Sequence, residues 1–418
     1  MSLPQTEILN TLVGRVFHYE DVTLGDQQRG YLVRYHGQLL LDSAEAYDQL
    51  AEALRAYEIT PLFRVEDGRQ TVILVQGINR PTPGRLRTNL IMFGLTVLSV
   101  LFVGSLSSYS GPLPSDPLGQ VLAVLANLWT GWPFAVSLLS ILLAHEFGHY
   151  FAGRYHKTAV SLPYFLPLPF PPLGTLGAFI QMKERPKNTR ILFDIGIAGP
   201  LAGLVVAIPV LFLGLLLSKV EPIQPATFVK SASQADVCAN TVSLGQTYTC
   251  AGDNSMEGNS VLYLALKFLV KGQLLPAPTR YNVPPLLYWL RYVFTGAPIP
   301  IGGLDVMLHP VALAGWAGLL VTFMNLIPAG QLDGGHVIYS VFGRRVSRIL
   351  PIILVVTALM GFFWPGWWLW AVIIFFLGRG HAEPLDQITA LDPRRRAVAV
   401  LMLVIFLLVL TPVPWSVF

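Results

Sequence analysis

The sequence predicts a polytopic α-helical membrane protein with a small α+β soluble domain at its N-terminus. Three observations carry that reading. Of 418 residues, 53% are hydrophobic and only 12% are charged, about half the charge of an ordinary soluble domain. Apolar runs approaching the roughly 20 residues needed to cross a bilayer core recur from residue 89 onward. Residues 1–84 contain no such run and instead alternate in the manner of strands and amphipathic helices. The 37 glycines and 32 prolines suit broken or closely packed membrane helices. A net charge of +4 reads as basic loops on one side of a membrane rather than a nucleic-acid footprint. A lipid bilayer is therefore an expected partner, and nucleic acid is not.

The elements follow in order. RGYLVRYHGQLLL alternates like a strand. SAEAYDQLAEALRAYEI has helical spacing behind a Ser43 cap. TPLFRVEDGRQTVILVQG reads as two strands around an Asp67-Gly68 turn. RPTPGRLRT is a basic, proline-broken linker, which places the domain boundary between residues 84 and 85, with a membrane domain over 85–418. The expected membrane segments are Asn89–Ser107, Leu118–Thr130 (short, re-entrant or bent), Trp132–Arg154, Ile191–Leu217, Val306–Ile327, Arg345–Trp364, Trp367–Gly378 and Ala397–Val413, six to eight in all. No internal repeat of the kind found in two-half transporters is visible.

Lysine and arginine set the expected orientation. Arg80, Arg85 and Arg87 precede the first span. Arg154, Lys157, Lys183, Arg185, Lys187 and Arg190 follow the Trp132–Arg154 span. Arg344, Arg345, Arg348 and Arg394, Arg395, Arg396 flank the late spans. All belong on one face, which the positive-inside rule makes cytoplasmic. Residues 219–305 then form an extracytoplasmic region that holds Cys238 and Cys250, as a disulfide or as two free thiols. The first thirty residues are polar and contain acids, which favours a prokaryotic plasma membrane over a plastid.

Chemistry concentrates at His145-Glu-Phe-Gly-His149. Two histidines four apart on a helix project from one face, and Glu146 sits beside them, the spacing of a zinc hydrolase. A plain polar contact between packed helices is the alternative, but ionisable clusters inside spans are functional by default. About 13 residues of helix precede His145, roughly 20 Å against a core of about 30 Å. The site is therefore expected within the bilayer, nearer the basic end. A zinc hydrolase needs a third protein ligand. FMNLIPAGQLDGGH, residues 323–336, supplies Asp333 where proline and glycine break a helix at membrane depth, a place tolerated only beside protein or a watery cavity. A helix-ending turn with a solvated aspartate is the alternative, and His336 and His381 remain open as ligands.

His-Glu-x-x-His on one span and Asn-x-x-Pro-x-x-x-Leu-Asp-Gly on a later one together resemble the site-2 protease family of intramembrane zinc metalloproteases. GTLGAFIQMKE (174–184) and AGPLAG (198–203) add to the resemblance. It covers about residues 88–395 and is nearest the cyanobacterial and plastid branch with an added N-terminal domain. The resemblance implies one zinc per chain on His145, His149 and Asp333, with Glu146 as general base and then proton donor. It implies that Asn325 contacts substrate. A membrane-embedded strand segment (Gly174, Gly177, Ala178, Phe179, Ile180) would bind an unwound substrate, which would be a single-span membrane protein. The competing class is a transporter or channel with an intramembrane ion site. That class calls for a repeat or for acids spread over several spans, and the membrane acids here are few and grouped.

Overall fold

The computed structural model describes residues 6–25, 30–80, 84–111, 114, 116–223, 255–378 and 383–417. Cys238, Cys250 and His381 lie outside the described residues.

The N-terminal part comprises α1 (Thr6–Gly14), β1 (Phe17–Leu24), β2 (Val33–Leu39), α2 (Ser43–Arg55), β3 (Ile59–Glu66) and β4 (Arg69–Gln76). The four strands form an antiparallel sheet in the order β1-β2-β4-β3. Asp67 and Gly68 both take left-handed φ, +49° and +79°, as a tight Asp-Gly hairpin requires. Val33 and Tyr35 of β2, Phe63, Val72 and Leu74 close on Leu50 and Leu54 of α2 as a core of their own. The helix cap differs from expectation. Asp42, not Ser43, caps α2 by accepting from the Ala44 amide at 2.9 Å. Ser43 is instead buried and donates to Asp386 at 2.8 Å, 343 residues away in sequence.

That contact ties the sheet to the rest of the chain. The Phe63 amide donates to the Leu385 carbonyl at 3.0 Å, and the Gln387 amide returns to Phe63 at 3.0 Å. The 385–387 segment thus lies against the edge strand β3, while Asp386 also pairs with Asn188. Asp386 is fully buried and accepts from Ser43, the amides of Ile388 and Thr389, and the Thr389 hydroxyl. Arg64 is 3% exposed; its Nη1 donates to the carbonyls of Phe63, Pro384 and Leu385 and its Nη2 lies 4.0 Å from Glu383, so its buried charge is partnered.

The remainder is helical. In chain order come α3 (Leu86–Ser108), α4 (Pro117–Ala126), a 3-10 turn (Leu128–Gly131), α5 (Trp132–Tyr155), β5 (Tyr164–Pro167), β6 (Thr175–Phe179), α6 (Thr189–Leu217), β7 (Lys219–Pro222), β8 (Ser255–Glu257), α7 (Val261–Lys271) and α8 (Pro285–Thr295). They are followed by β9 (Leu304–Met307), α9 (Pro310–Asn325), α10 (Asp333–Phe342), a 3-10 helix (Gly343–Arg348), α11 (Leu350–Met360), α12 (Gly366–Leu377), α13 (Pro393–Val409) and β10 (Trp415–Val417). Among the described residues three helices are long and apolar enough to cross a membrane: Leu86–Ser108, Leu128–Tyr155 and Thr189–Leu217.

The other expected spans differ from the helices found, some in length and some in position. Val306–Ile327 resolves into β9 and a 16-residue α9 that begins at Pro310. Arg345–Trp364 starts with the 3-10 helix and leaves an 11-residue α11; Trp367–Gly378 becomes the 12-residue α12. Leu118–Thr130 splits into α4 and the 3-10 turn. Ala397–Val413 becomes α13, which ends at Val409. Proline sits in the first turn of α9, α11 and α13 and Pro365 stands between α11 and α12. Pro310 and Pro351 each punctuate a run that the sequence reads as one span.

Helices α5, α6 and α9 pack mutually and hold the centre of the main core, with Leu138, Ala207, Leu211 and Ala317 inside it. Beyond α6, Lys267 of α7 is fully buried between Glu257 at 3.2 Å and Asp305 at 3.5 Å. Two carboxylates share one ammonium there, and burial pushes the Asp305 carboxyl above its ordinary range.

Candidate metal centre

The site is assembled by three helices. His145, Glu146 and His149 lie in the second half of α5, all at most 5% exposed. α6 passes against them with a face of glycines. A β-carbon at Gly199 would sit 2.0 Å from His149 Nε2, and one at Gly203 would sit 3.2 Å from His145 Nδ1. Only glycine at 199 lets the histidine side chain occupy its place. The AGPLAG sequence is thus a groove for the α5 side chains.

The third contributor arrives across a turn. α9 ends at Asn325, and the chain reverses through Pro328 and Gly330 (φ +52°) before α10 begins at Asp333. The two glycines after Asp333 have a packing reason. β-carbons there would lie 2.0 Å from the Leu326 carbonyl oxygen and 2.4 Å from that of Gly330. Without side chains, the start of α10 tucks against its own preceding turn, and that places the carboxylate.

The result is a compact donor set. Asp333 Oδ2 lies 3.2 Å from His145 Nε2, and Oδ1 lies 3.3 Å from His149 Nε2. The two Nε2 atoms are 3.2 Å apart. A tetrahedral zinc site with ligands about 2.0–2.1 Å from the ion has donor-to-donor edges of roughly 3.3 Å, so the spacing fits that ion. His149 Nδ1 donates to the Ile195 carbonyl of α6 at 2.7 Å, which turns Nε2 toward the cluster, as in oriented metal-ligating histidines. Among the described residues, His145, His149 and Asp333 are the group of His, Cys, Asp and Glu that converges in this way.

Glu146 is 3% exposed, and its Oε2 has no hydrogen-bond partner among the described residues. A buried carboxylate oxygen without a partner is costly; beside a metal-type donor set it suits a group that works on bound water. The side-chain amide of Asn325 lies 3.2 Å from His145 Nε2, so this residue too is at the cluster. His336 is not. It is buried on α10 with its Cβ facing Gly196.

The strand segment is only partly as expected. β6 covers Thr175–Phe179 and pairs antiparallel with β5. Gly174 and Gly177 take φ of +74° and +98°, so neither end nor middle is uniformly extended, and Ile180 falls just past the last paired residue. Gly174 is pinned to α3, where Ser99 Oγ donates to its carbonyl at 2.6 Å. Ala178 is half-buried, while Leu176 and Phe179 are exposed. β6 has one strand neighbour, β5, among the described residues, and it packs against α5.

Two features escaped the sequence reading. The Ile195 carbonyl is a main-chain atom with no sequence signal. Asp194 meets His156 at 3.0 Å and Arg395 at 2.6 Å, tying the end of α5 to α6 and α13. An aspartate inside an apolar run was the available signal.

A family model described as Peptidase family M50 matches residues 133–363, more than half of the chain. Along 97% of its length the chain is 25% identical to a probable zinc metalloprotease EGY2, chloroplastic, of Oryza sativa subsp. indica, and covers 66% of that protein. It is 26% identical to the Arabidopsis thaliana EGY2, chloroplastic, over 100% of the chain and 66% of the relative. A probable zinc metalloprotease EGY1, chloroplastic, of Oryza sativa subsp. japonica is 27% identical over 82% of the chain and 53% of its own length. The chain thus spans just under two thirds of the length of the EGY2 relatives. These matches correct one expectation. The relatives are named as chloroplastic plant proteins, which overturns the assignment to a prokaryotic plasma membrane with a cytoplasmic N-terminus and active-site opening. That assignment leaned on the first thirty residues, and the relatives extend well beyond the length matched here.

Proposed function

The chain belongs to peptidase family M50, the site-2 protease family that its motifs resemble, and on that premise we propose that it is an intramembrane zinc metalloprotease. The observation that carries the proposal is the meeting of His145, His149 and Asp333 beside the unpartnered Oε2 of Glu146. One zinc per chain would rest on the first three. When bound, zinc lowers the pKa of its water to about 7 and polarises a carbonyl.

The protein groups do the rest. Glu146 takes a proton from the attacking water at Oε2 and returns it to the departing amine. The Ile195 carbonyl fixes the tautomer of His149. Asn325, at the end of α9, contacts the substrate backbone. The substrate is a single-span membrane protein, cut within or near its transmembrane helix. A helical peptide bond is already hydrogen-bonded and shielded, so the substrate unwinds first and adds as a strand along Gly174, Gly177, Ala178, Phe179 and Ile180. The chain divides into a soluble domain over 1–84 and a membrane protease domain over 85–418. The shorter apolar helices complete six to eight membrane segments, α11 packing on α12 as a pair. Residues 219–223 and 255–305 lie on the face opposite the arginine clusters; 224–254 lie outside the described residues.

Two substitutions test the chemistry, with zinc analysis run beside cleavage of a single-span substrate in liposomes. Glu146→Gln should keep zinc near one per chain and lower cleavage by roughly 10²–10⁴-fold. Asp333→Ala should lose zinc and, with it, cleavage. Wild-type cleavage by the glutamine variant would refute the assignment of Glu146. Zinc and activity both retained by the alanine variant would place the third ligand elsewhere.

A further inference from the structure

A cavity of about 600 Å³ opens between β3, the start of α6, the end of α10 and the segment entering α13. Val65, Thr189, Phe342, Arg344, Arg345 and Arg396 are among its walls, and no Asp or Glu is among its lining residues. None of His145, Glu146, His149 and Asp333 lines it. Arg344 is paired, its Nε 3.3 Å from Glu383. Arg396 donates Nε to the Leu391 carbonyl at 3.0 Å and meets no carboxylate among the described residues. Arg345 is exposed and has no side-chain partner among them. Two guanidinium charges at this cavity are therefore not neutralised by the described residues.

The cavity also has a defined level. Arg345 lies in the 3-10 helix that runs into α11, whose Ile352, Val355, Val356 and Leu359 are 50% exposed or more. Arg396 lies in the first turn of α13, followed by exposed Val400, Leu401, Leu403 and Val404. Arg396 stands four residues, about 6 Å of helix, before the exposed apolar face of α13, and Arg345 stands seven residues before Ile352 of α11; with these helices as membrane segments, both guanidiniums lie near the headgroups. Phe342, 53% exposed, adds an apolar wall at the same place. A freely dissolved anion has no use for that wall; an acyl chain does.

We infer that this cavity binds the phosphate of an anionic membrane lipid, with Arg345 and Arg396 as its charge partners and Phe342 against the upper acyl chain. Unpaired arginines flanking membrane helices provide the fork geometry and weak hydration that favour phosphate. The site rests on the cavity and its charges, independently of the peptidase reading.

The test is native mass spectrometry of the full chain in detergent. Phosphatidylglycerol and phosphatidylcholine with the same acyl chains are titrated separately, and inorganic phosphate forms a third arm. The wild type should hold one phosphatidylglycerol at least about fivefold more tightly than phosphatidylcholine. Arg345→Gln should reduce that preference, and Arg345→Gln with Arg396→Gln should abolish it. Arg394→Gln, an exposed neighbour outside the cavity wall, should leave it unchanged. Because Arg345 has no side-chain partner among the described residues, its single variant keeps the test valid even if the double variant folds poorly. An unaltered preference in the Arg345 variant, or an equal loss in the Arg394 variant, would overturn the site. Displacement of phosphatidylglycerol by millimolar inorganic phosphate would overturn the lipid as its source.

Discussion

Gly199 and Gly203 show how single residues determine whether the metal centre can form. Neither was readable as functional from spacing; AGPLAG was noticed only because it resembles a family motif. Their reason is distance. A methyl at 199 would overlap a ligand nitrogen, while one at 203 would press on the far side of the other imidazole at 3.2 Å. We expect Gly199→Ala to lower zinc retention and cleavage by at least about tenfold, the low end for perturbing a ligand's support, and Gly203→Ala to have a smaller effect. Zinc occupancy after mild chelation would measure both. Equal, full occupancy in the two variants would show that the glycines serve helix packing alone. His145, Glu146, His149 and Asp333 were legible because an i, i+4 repeat and a helix-breaking Asp-Gly-Gly are local patterns. Ile195 was not, because its contribution is a carbonyl.

At the scale of elements, β6 is visible in the sequence as a glycine-bounded stretch, while its length and its partner β5 are not. Two left-handed glycines interrupt what looked extended, since backbone sign is not encoded in hydropathy. The hairpin still leaves β6 with a single strand neighbour among the described residues. Ile180 lies beyond the last β5–β6 pair, and the residue before it, Phe179, is already extended, as a residue before proline prefers. Ile180→Pro should therefore remove one backbone donor without dismantling the hairpin. Cleavage should fall several-fold while zinc stays bound; unchanged cleavage would make the segment a connector. Helix lengths were the weakest part of the reading. Hydropathy joined α9 to β9 and α11 to the basic 3-10 helix because proline's effect on continuity carries little weight in an average over many residues.

Across the whole molecule, the feature least visible in sequence is the seam between the N-terminal sheet and the 384–389 segment. The sheet itself was readable from alternation and the Asp-Gly turn. Its partner lies more than 300 residues away, and no local pattern encodes such pairing. Asp386 is the knot, accepting from two backbone amides and from the hydroxyls of Ser43 and Thr389. Asp386→Ala would leave those donors buried without a partner, at about 2–4 kcal/mol in total. Ser43→Ala removes one of them and should cost about 1 kcal/mol. The expected result is earlier cutting by added trypsin in the basic linker around Arg80–Arg87 for the aspartate variant, with the serine variant between it and wild type. Identical digestion of all three would mean that the seam does not hold the domain.

The 188 residues separating His145 from Asp333 also impose an order of events during synthesis. A chain still growing has both histidines in place long before the carboxylate that completes the donor set emerges, and the 385–387 segment that lies against β3 comes later still. An unfinished chain therefore carries an incomplete metal site. On the proposed reading of that site, competence to cut begins only when most of the chain has been made.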